Sequence, residues 1–143
     1  MEIHIRHSRA TDLPEITEIY NQAIRRKICI AYLQEFTVEE RKAWYQKHSS
    51  NSYPLLIAEE NNRVLGWISL SPYREGREAL KATVLVSYFV HDEHQGKGIG
   101  SALLKEMLVE AKNLSYRTIL AIIFEENIVS KRILEKAGFE QWG

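Results

Sequence analysis

Apolar residues along this chain recur with two periods, and the order in which the periods appear predicts the fold. Residues 2–7 alternate, with Ile3 and Ile5 on one face, which predicts a short strand. Thr11 reads as an N-cap with Pro14 and Glu15 in the first turn. Leu13, Ile16, Ile19, Tyr20, Ala23 and Ile24 then recur at helical spacing, predicting a helix over 12–26. The stretch 27–36 is apolar but aperiodic and reads as a partly buried loop. Thr37-Val38-Glu39-Glu40 has the spacing of a capping box, so a second helix starts at Val38 and turns Trp44 and Tyr45 inward. Residues 54–60 and 63–71 read as strands around a two-residue turn, Asn61-Asn62. The run 81–91 is long, β-branched and aromatic, as a central strand is. A helix from about Gly98 to Asn113 carries Leu103, Leu104, Met107, Leu108 and Ala111. Residues 117–124 read as a buried strand. A helix over 130–137 turns Ile133 and Leu134 inward and stops at Gly138, and a last strand is expected over 139–142. The order β-α-α-β-β-β-α-β-α-β predicts a mixed α/β (α+β) fold: an antiparallel meander first, a parallel pair after it, helices on both faces.

Composition narrows the classes of function. The 143 residues suit one domain spanning 1–143. Lys plus Arg number 19 and Asp plus Glu 19, so the basic excess of a nucleic-acid binder is absent. The single cysteine, Cys29, cannot form an internal disulfide, and no Cys/His spacing points to zinc; a cytoplasmic protein without a metal is expected. No apolar run is long enough to cross a membrane, and the first ten residues read as a charged strand, so no membrane partner is expected.

The chemistry concentrates in Gln95-Gly96-Lys97-Gly98-Ile99-Gly100-Ser101, between the long strand and the third helix. Glycines at alternate positions allow positive φ and close approach of the backbone. The amides of such a turn, with the helix N-terminus behind them, make an anion site, and Lys97 adds a positive charge. A phosphate or pyrophosphate is the expected guest. The spacing is neither that of a P-loop nor that of the dinucleotide fingerprint, since position 101 is serine and Tyr116 and Arg117 stand where an acidic residue is needed. A tight strand-to-helix turn without a ligand uses the same glycines, and from spacing alone that alternative stays open.

Gln95, Gly98 and Gly100 match the core Gln/Arg-x-x-Gly-x-Gly/Ala, and the run from Val90 to Gly100 resembles the acetyl-CoA motif of the GNAT acetyltransferases. Asn127-x-x-Ser130 followed by Leu134-Glu135-Lys136-x-Gly138-Phe139 is similar to the next signature of that family. Ile5-Arg6, Asp12-Leu13-Pro14, Ile16, Ile19-Tyr20-Asn21 and the run from Thr37 to Trp44 resemble the branch that includes the phosphinothricin and methionine sulfoximine acetyltransferases. The resemblance covers nearly the whole chain. It implies a GNAT-like central mixed sheet with a splayed parallel strand pair. It implies acetyl-CoA as cosubstrate, with the backbone of Tyr88, Phe89 and Val90 on the pantetheine arm. Gln95 and the amides of Gly96, Lys97, Gly98, Ile99, Gly100 and Ser101 would hold the pyrophosphate, and Asn127 the thioester end, with Ser130 assisting. The implied reaction is direct attack by the primary amine of a small molecule, of which phosphinothricin and methionine sulfoximine are examples. A homodimer is also implied.

The chain departs from that pattern in ways that bear on catalysis. The branch carries a glutamate ten residues before the motif glutamine, and here that position is Leu85, on the same strand face as Ser87 and Phe89. The family's tyrosine acid corresponds to Leu134. Glu35 is the candidate base, with a solvated surface charge as the plain alternative. The acceptor is expected against Leu85, Val86 and Ser87, with Tyr73 and Arg77 at the preceding hairpin. His91 and His94 read as exposed turn residues, and Trp44, Trp67 and Tyr45 as core aromatics. The family's C-terminal hairpin is missing from 1–143. The second functional reading is therefore an acyl-CoA-binding module of the same fold with weak or absent catalysis.

Overall fold

Asn61 and Asn62 both adopt positive φ, 52° and 64°, the left-handed pair that a two-residue hairpin turn requires. They join β2 (Leu55–Glu60) to β3 (Arg63–Pro72) and begin the antiparallel part of the sheet. The computed structural model describes residues 2–26, 34–49, 51–73, 82–123 and 127–142. β1 (His4–His7) pairs antiparallel with β2, and β4 (Thr83–Val90) with β3. β5 (Thr118–Leu120) pairs parallel with β4, giving the order β1-β2-β3-β4-β5. The helices are α1 (Leu13–Arg26), α2 (Val38–Gln46), α3 (Ile99–Asn113) and α4 (Ile128–Lys136). No helix among the described residues is long and apolar enough to cross a membrane.

Strand alternation sorts the apolar side chains onto two faces. On one face Leu56, Ala58, Ile68, Leu70, Val84 and Val86 pack under Ile99, Leu103, Leu104 and Met107 of α3 and Leu134 of α4. On the other, Leu55, Ile57 and Trp67 pack under Ile16, Ile19, Tyr20 and Ile24 of α1, with Trp44, Tyr45 and Phe89 at the margin. Each fully buried side chain of this size contributes about 1.5–3 kcal/mol. Arg41 of α2 is buried beneath aromatic faces, its guanidinium 3.8 Å from the Trp44 ring centre and 4.3 Å from that of Tyr20. Gly66 lets α3 sit low on the sheet. A Cβ there would lie 2.9 Å from the Phe89 carbonyl oxygen and 3.1 Å from Ile99 Cγ2.

Several boundaries differ from the sequence reading. Thr11 does not cap α1; a short 3₁₀ turn, Ala10–Asp12, precedes it, and the Asp12 carboxylate accepts from Arg9 N at 2.7 Å. Pro14, three residues after Thr11, has no amide hydrogen for a threonine cap to bond, and Arg6 holds the Asp12 carboxylate in place at 2.9 Å. The capping box at Thr37 and Glu40 forms as expected. β5 is three residues long rather than eight, because the chain leaves β4 after Leu120. Helix α4 begins at Ile128, with Asn127 as its N-cap. Residues 139–142 form no strand. They line, with residues 117–123 and α4, a groove of about 990 Å³ beside the edge strand β5, and they form no ladder with it.

Candidate functional site

β4 and β5 stay paired only from Thr83/Thr118 to Leu85/Leu120. Beyond Leu85, β4 keeps its bonds to β3 on one side as far as Val90. Its other edge meets no strand among the described residues. The result is a gap beside a strand edge that no described strand covers, the arrangement that binds extended amides by adding them to the ladder.

The glycine turn sits at the end of β4 that borders this gap. Gly96 (φ 75°) and Gly98 (φ 80°) are both left-handed, and a Cβ on either would meet nothing within 4 Å. Conformation, not crowding, therefore requires glycine at both positions. Gly98 is the N-cap of α3 and offers no side chain to its first turn, so the leading amides of the helix keep their donors for a ligand. The helix dipole favours an anion there by about 0.3–1 kcal/mol per charge. Gln95 Nε2 donates to the Val90 carbonyl at 2.7 Å and folds the turn back on β4. Gly100 brings α3 against both neighbours, for a Cβ there would be 3.4 Å from Tyr88 Cε2 and from Ile133 Cδ1. The Tyr88 hydroxyl donates to the Ser130 carbonyl at 3.5 Å, and Asn127 Oδ1 accepts from Ser130 N at 3.2 Å. One side of the gap thus joins Tyr88, the glycine turn, Asn127 and Ser130.

Not every expected residue reaches the site with its side chain. Phe89 turns to the opposite face, edge-on to Tyr20 at 5.2 Å and 4.9 Å from Trp67. Val86 and Ile99 are buried in the core beneath α3. The side chains of these three pack into the apolar clusters on the two faces of the sheet. Ser101 is exposed in the first turn of α3, and Lys97 Nζ lies 3.3 Å from His94 Nδ1. Burial, then the charges of Lys97 and His91, hold His94 below the usual histidine range. His91 and His94 are half-buried, not exposed as expected, because α1 packs against their turn. His91, Glu93 and His94 bring ligand atoms within 4.8 Å of one another, but His91 Nδ1 accepts from Glu93 N and His94 Nδ1 faces Lys97.

On the α1 face of β4, Leu85 lies opposite Ser71, and Ser87 opposite Ser69. No carboxylate stands on this strand. Glu35 is half-exposed and bidentate with Arg25, at 3.0 Å on both oxygens, and this hydrogen bonding holds its carboxyl below the usual range. A carboxylate so stabilised is a poor proton acceptor. Leu134 is buried in the core. Tyr73 is half-buried just past β3, with its amide donating to Thr83 O at 3.4 Å, while Arg77 and Cys29 lie outside the described residues.

Two residues that carried no role in the sequence reading hold the surroundings of the site. Asn21 bonds both backbone groups of Phe36, and Gln22 accepts from Asp92 N at 2.8 Å. Their one signal was a pair of amides adjoining the apolar stripe of α1.

The Acetyltransferase (GNAT) family model matches residues 14–139. An L-methionine sulfoximine/L-methionine sulfone acetyltransferase of Salmonella typhimurium is 35% identical over 135 residues, 94% of this chain and 78% of that protein. An L-amino acid N-acyltransferase of Escherichia coli is 34% identical over the same shares. Among solved structures, a phosphinothricin acetyltransferase from Sinorhizobium meliloti in complex with AcCoA superposes with a TM-score of 0.93 at 30% identity, covering 100% of this chain and 77% of that one.

Proposed function

We propose, because the chain belongs to the GNAT acetyltransferase family, that it transfers an acetyl group from acetyl-CoA to the primary amine of a small, amino-acid-like molecule. The observation that carries the reading is the glycine turn at the end of the open edge of β4. The residues present fit this cosubstrate. The turn and the first amides of α3 suit a pyrophosphate, and the edge of β4 that leaves the β5 ladder after Leu85 suits the amides of a pantetheine arm. Asn127, fixed as the cap of α4, and Ser130 border the same gap beside Tyr88. When bound, acetyl-CoA supplies a thioester whose carbonyl carbon takes the amine's electron pair as the C–S bond breaks and the sulfur leaves as thiol.

The chain's own part is to align the two reactants and exclude water. Leu85 accepts no proton, so in this reading the amine sheds its proton to solvent, and the rate rises with pH as free amine accumulates. Methionine sulfoximine and phosphinothricin are the first acceptors to try, since relatives are named for them. A cytoplasmic homodimer completes the reading.

The test is thiol release from acetyl-CoA with those two amines and a panel of L-amino acids. A thermal-shift titration runs beside it, in which ligand at 100 times its Kd adds about 2.7 kcal/mol. Binding with turnover supports the enzyme. Binding without turnover on any amine favours the second reading, an acyl-CoA-binding module, which Leu85 and Leu134 recommend. No binding at millimolar ligand overturns both.

A further inference from the structure

We propose that Gln22, on α1 and outside the glycine motif, is a positioning residue for the cofactor turn; the inference rests on the reading of that turn given above. Gln22 is 5% exposed. A buried amide is costly unless its polar atoms are bonded, and both of these are engaged. Oε1 accepts from Asp92 N at 2.8 Å. Nε2 donates to Glu18 Oε2 at 3.3 Å and lies 3.1 Å from His91 Nε2. Asp92 opens the short 3₁₀ turn, Asp92–His94, that leads directly into Gln95 and Gly96.

The same helix reaches Asp92 a second time, one turn further on. Arg26 Nε lies 3.3 Å from Asp92 Oδ1, near enough for charge attraction though off the hydrogen-bond axis. From the sheet side, His91 N donates to Leu65 O at 2.8 Å. The strand-to-turn corner is thus held by α1 on one side and β3 on the other. Gln22 supplies the buried hydrogen bond between them. With Gln22 bonded, the turn is already ordered when an anion arrives. Without it, ordering the turn becomes part of the cost of binding. Among the described residues the hydrogen bonds of Gln22 go to Glu18, His91 and Asp92 and none to Leu85 or Ser87, so the cost falls first on acetyl-CoA.

Gln22→Met keeps the length and volume of the side chain and removes both polar atoms. The expected result is a KM for acetyl-CoA raised about tenfold, the size of one lost hydrogen bond, with kcat and the acceptor KM unchanged. Hydrogen exchange at the amides of residues 92–98 should quicken in the same variant. Gln22→Glu keeps the oxygen that accepts from Asp92 N and should retain more affinity than Gln22→Met, despite the repulsion from Glu18. If Gln22→Met does not fold, Arg26→Gln tests the partly exposed half of the same clamp, with the same direction and a smaller rise. An unchanged KM for acetyl-CoA, or an equal rise in both KM values, overturns the proposal while the functional reading stands. Failure of the wild-type chain to bind acetyl-CoA overturns the functional reading, and this one with it.

Discussion

Asn21 closes a ring of two hydrogen bonds on Phe36, its Nδ2 donating to the Phe36 carbonyl at 2.8 Å and its Oδ1 accepting from the Phe36 amide at 2.9 Å. A side-chain amide here does for one residue what a strand does for its neighbour, and it fixes Phe36 against α1 just ahead of α2. Asn21→Ala leaves a donor and an acceptor without partners in a mostly buried place, each costing about 1–3 kcal/mol. Thermal unfolding should show a loss of about 3 kcal/mol, near 10 °C for a domain of this size. Asn21→Asp keeps the bond from Phe36 N but sets a carboxylate against the Phe36 carbonyl, and it should lose nearly as much. A loss under about 1 kcal/mol for Asn21→Ala would show that water replaces the ring.

Gly98→Asp separates folding from cofactor binding. A Cβ at this position meets nothing, so the fold bears only the left-handed backbone penalty of about 1–2 kcal/mol. The new carboxylate, however, stands where the reading puts a pyrophosphate. The variant should remain folded by circular dichroism and lose the acetyl-CoA thermal shift entirely. Gly98→Ala should lose it only in part.

Leu85→Glu restores a carboxylate beside Ser71 and Ser87. If the missing base is what limits the chain, kcat at neutral pH should rise about 10- to 100-fold, and the pH–rate profile should acquire one new ionisation. A folded variant with no gain would show that proton removal is not the limiting step.

His48 sets a prediction for stability at mildly acidic pH. Burial, together with the positive charge of Arg41, holds its pKa below the usual 6.5, although the Tyr53 carbonyl, 3.1 Å from Nδ1, opposes the shift. The fold therefore favours the neutral ring. The stability this gives is complete above pH 6.5 and is lost as pH falls from there through the folded-state pKa. Melting temperature measured from pH 7.5 down to 5 should fall, and His48→Asn, which can still donate to Tyr53 O, should flatten the lower part of the curve. The ion pairs of Asp12 and Glu59 with Arg6 weaken only at more acidic pH, because both carboxyls lie below the usual carboxylate range.

What was legible in the sequence was local. The capping box at Thr37, the Asn61-Asn62 turn and the glycines before α3 each signal through neighbours a few residues apart, and each forms. The alternation that placed Leu85, Ser87 and Phe89 on one face of β4 holds, because period two survives any packing. What was not legible depends on distant partners. Gln22 and Asp92 are 70 positions apart, and a polar residue beside an apolar helical stripe reads as solvated until the far partner is known. β5 reads as eight residues from its hydrophobicity, yet the ladder ends where β4 and β5 diverge, after three. Residues 139–142 have strand composition, yet among the described residues they form no ladder with the neighbouring edge strand β5.

The alternation of β4 also divides the evolutionary freedom of the chain. Val84, Val86, Tyr88 and Val90 pack with α3, whereas Phe89 packs with α1, and Leu85 and Ser87 share its face, on which the proposed acceptor would lie. On the proposed reading neighbouring residues answer to different ligands, and substitutions at the odd positions would retune which amine is acetylated without touching the shared acetyl donor. One strand thus lets substrate preference drift over generations while dependence on acetyl-CoA is inherited unchanged.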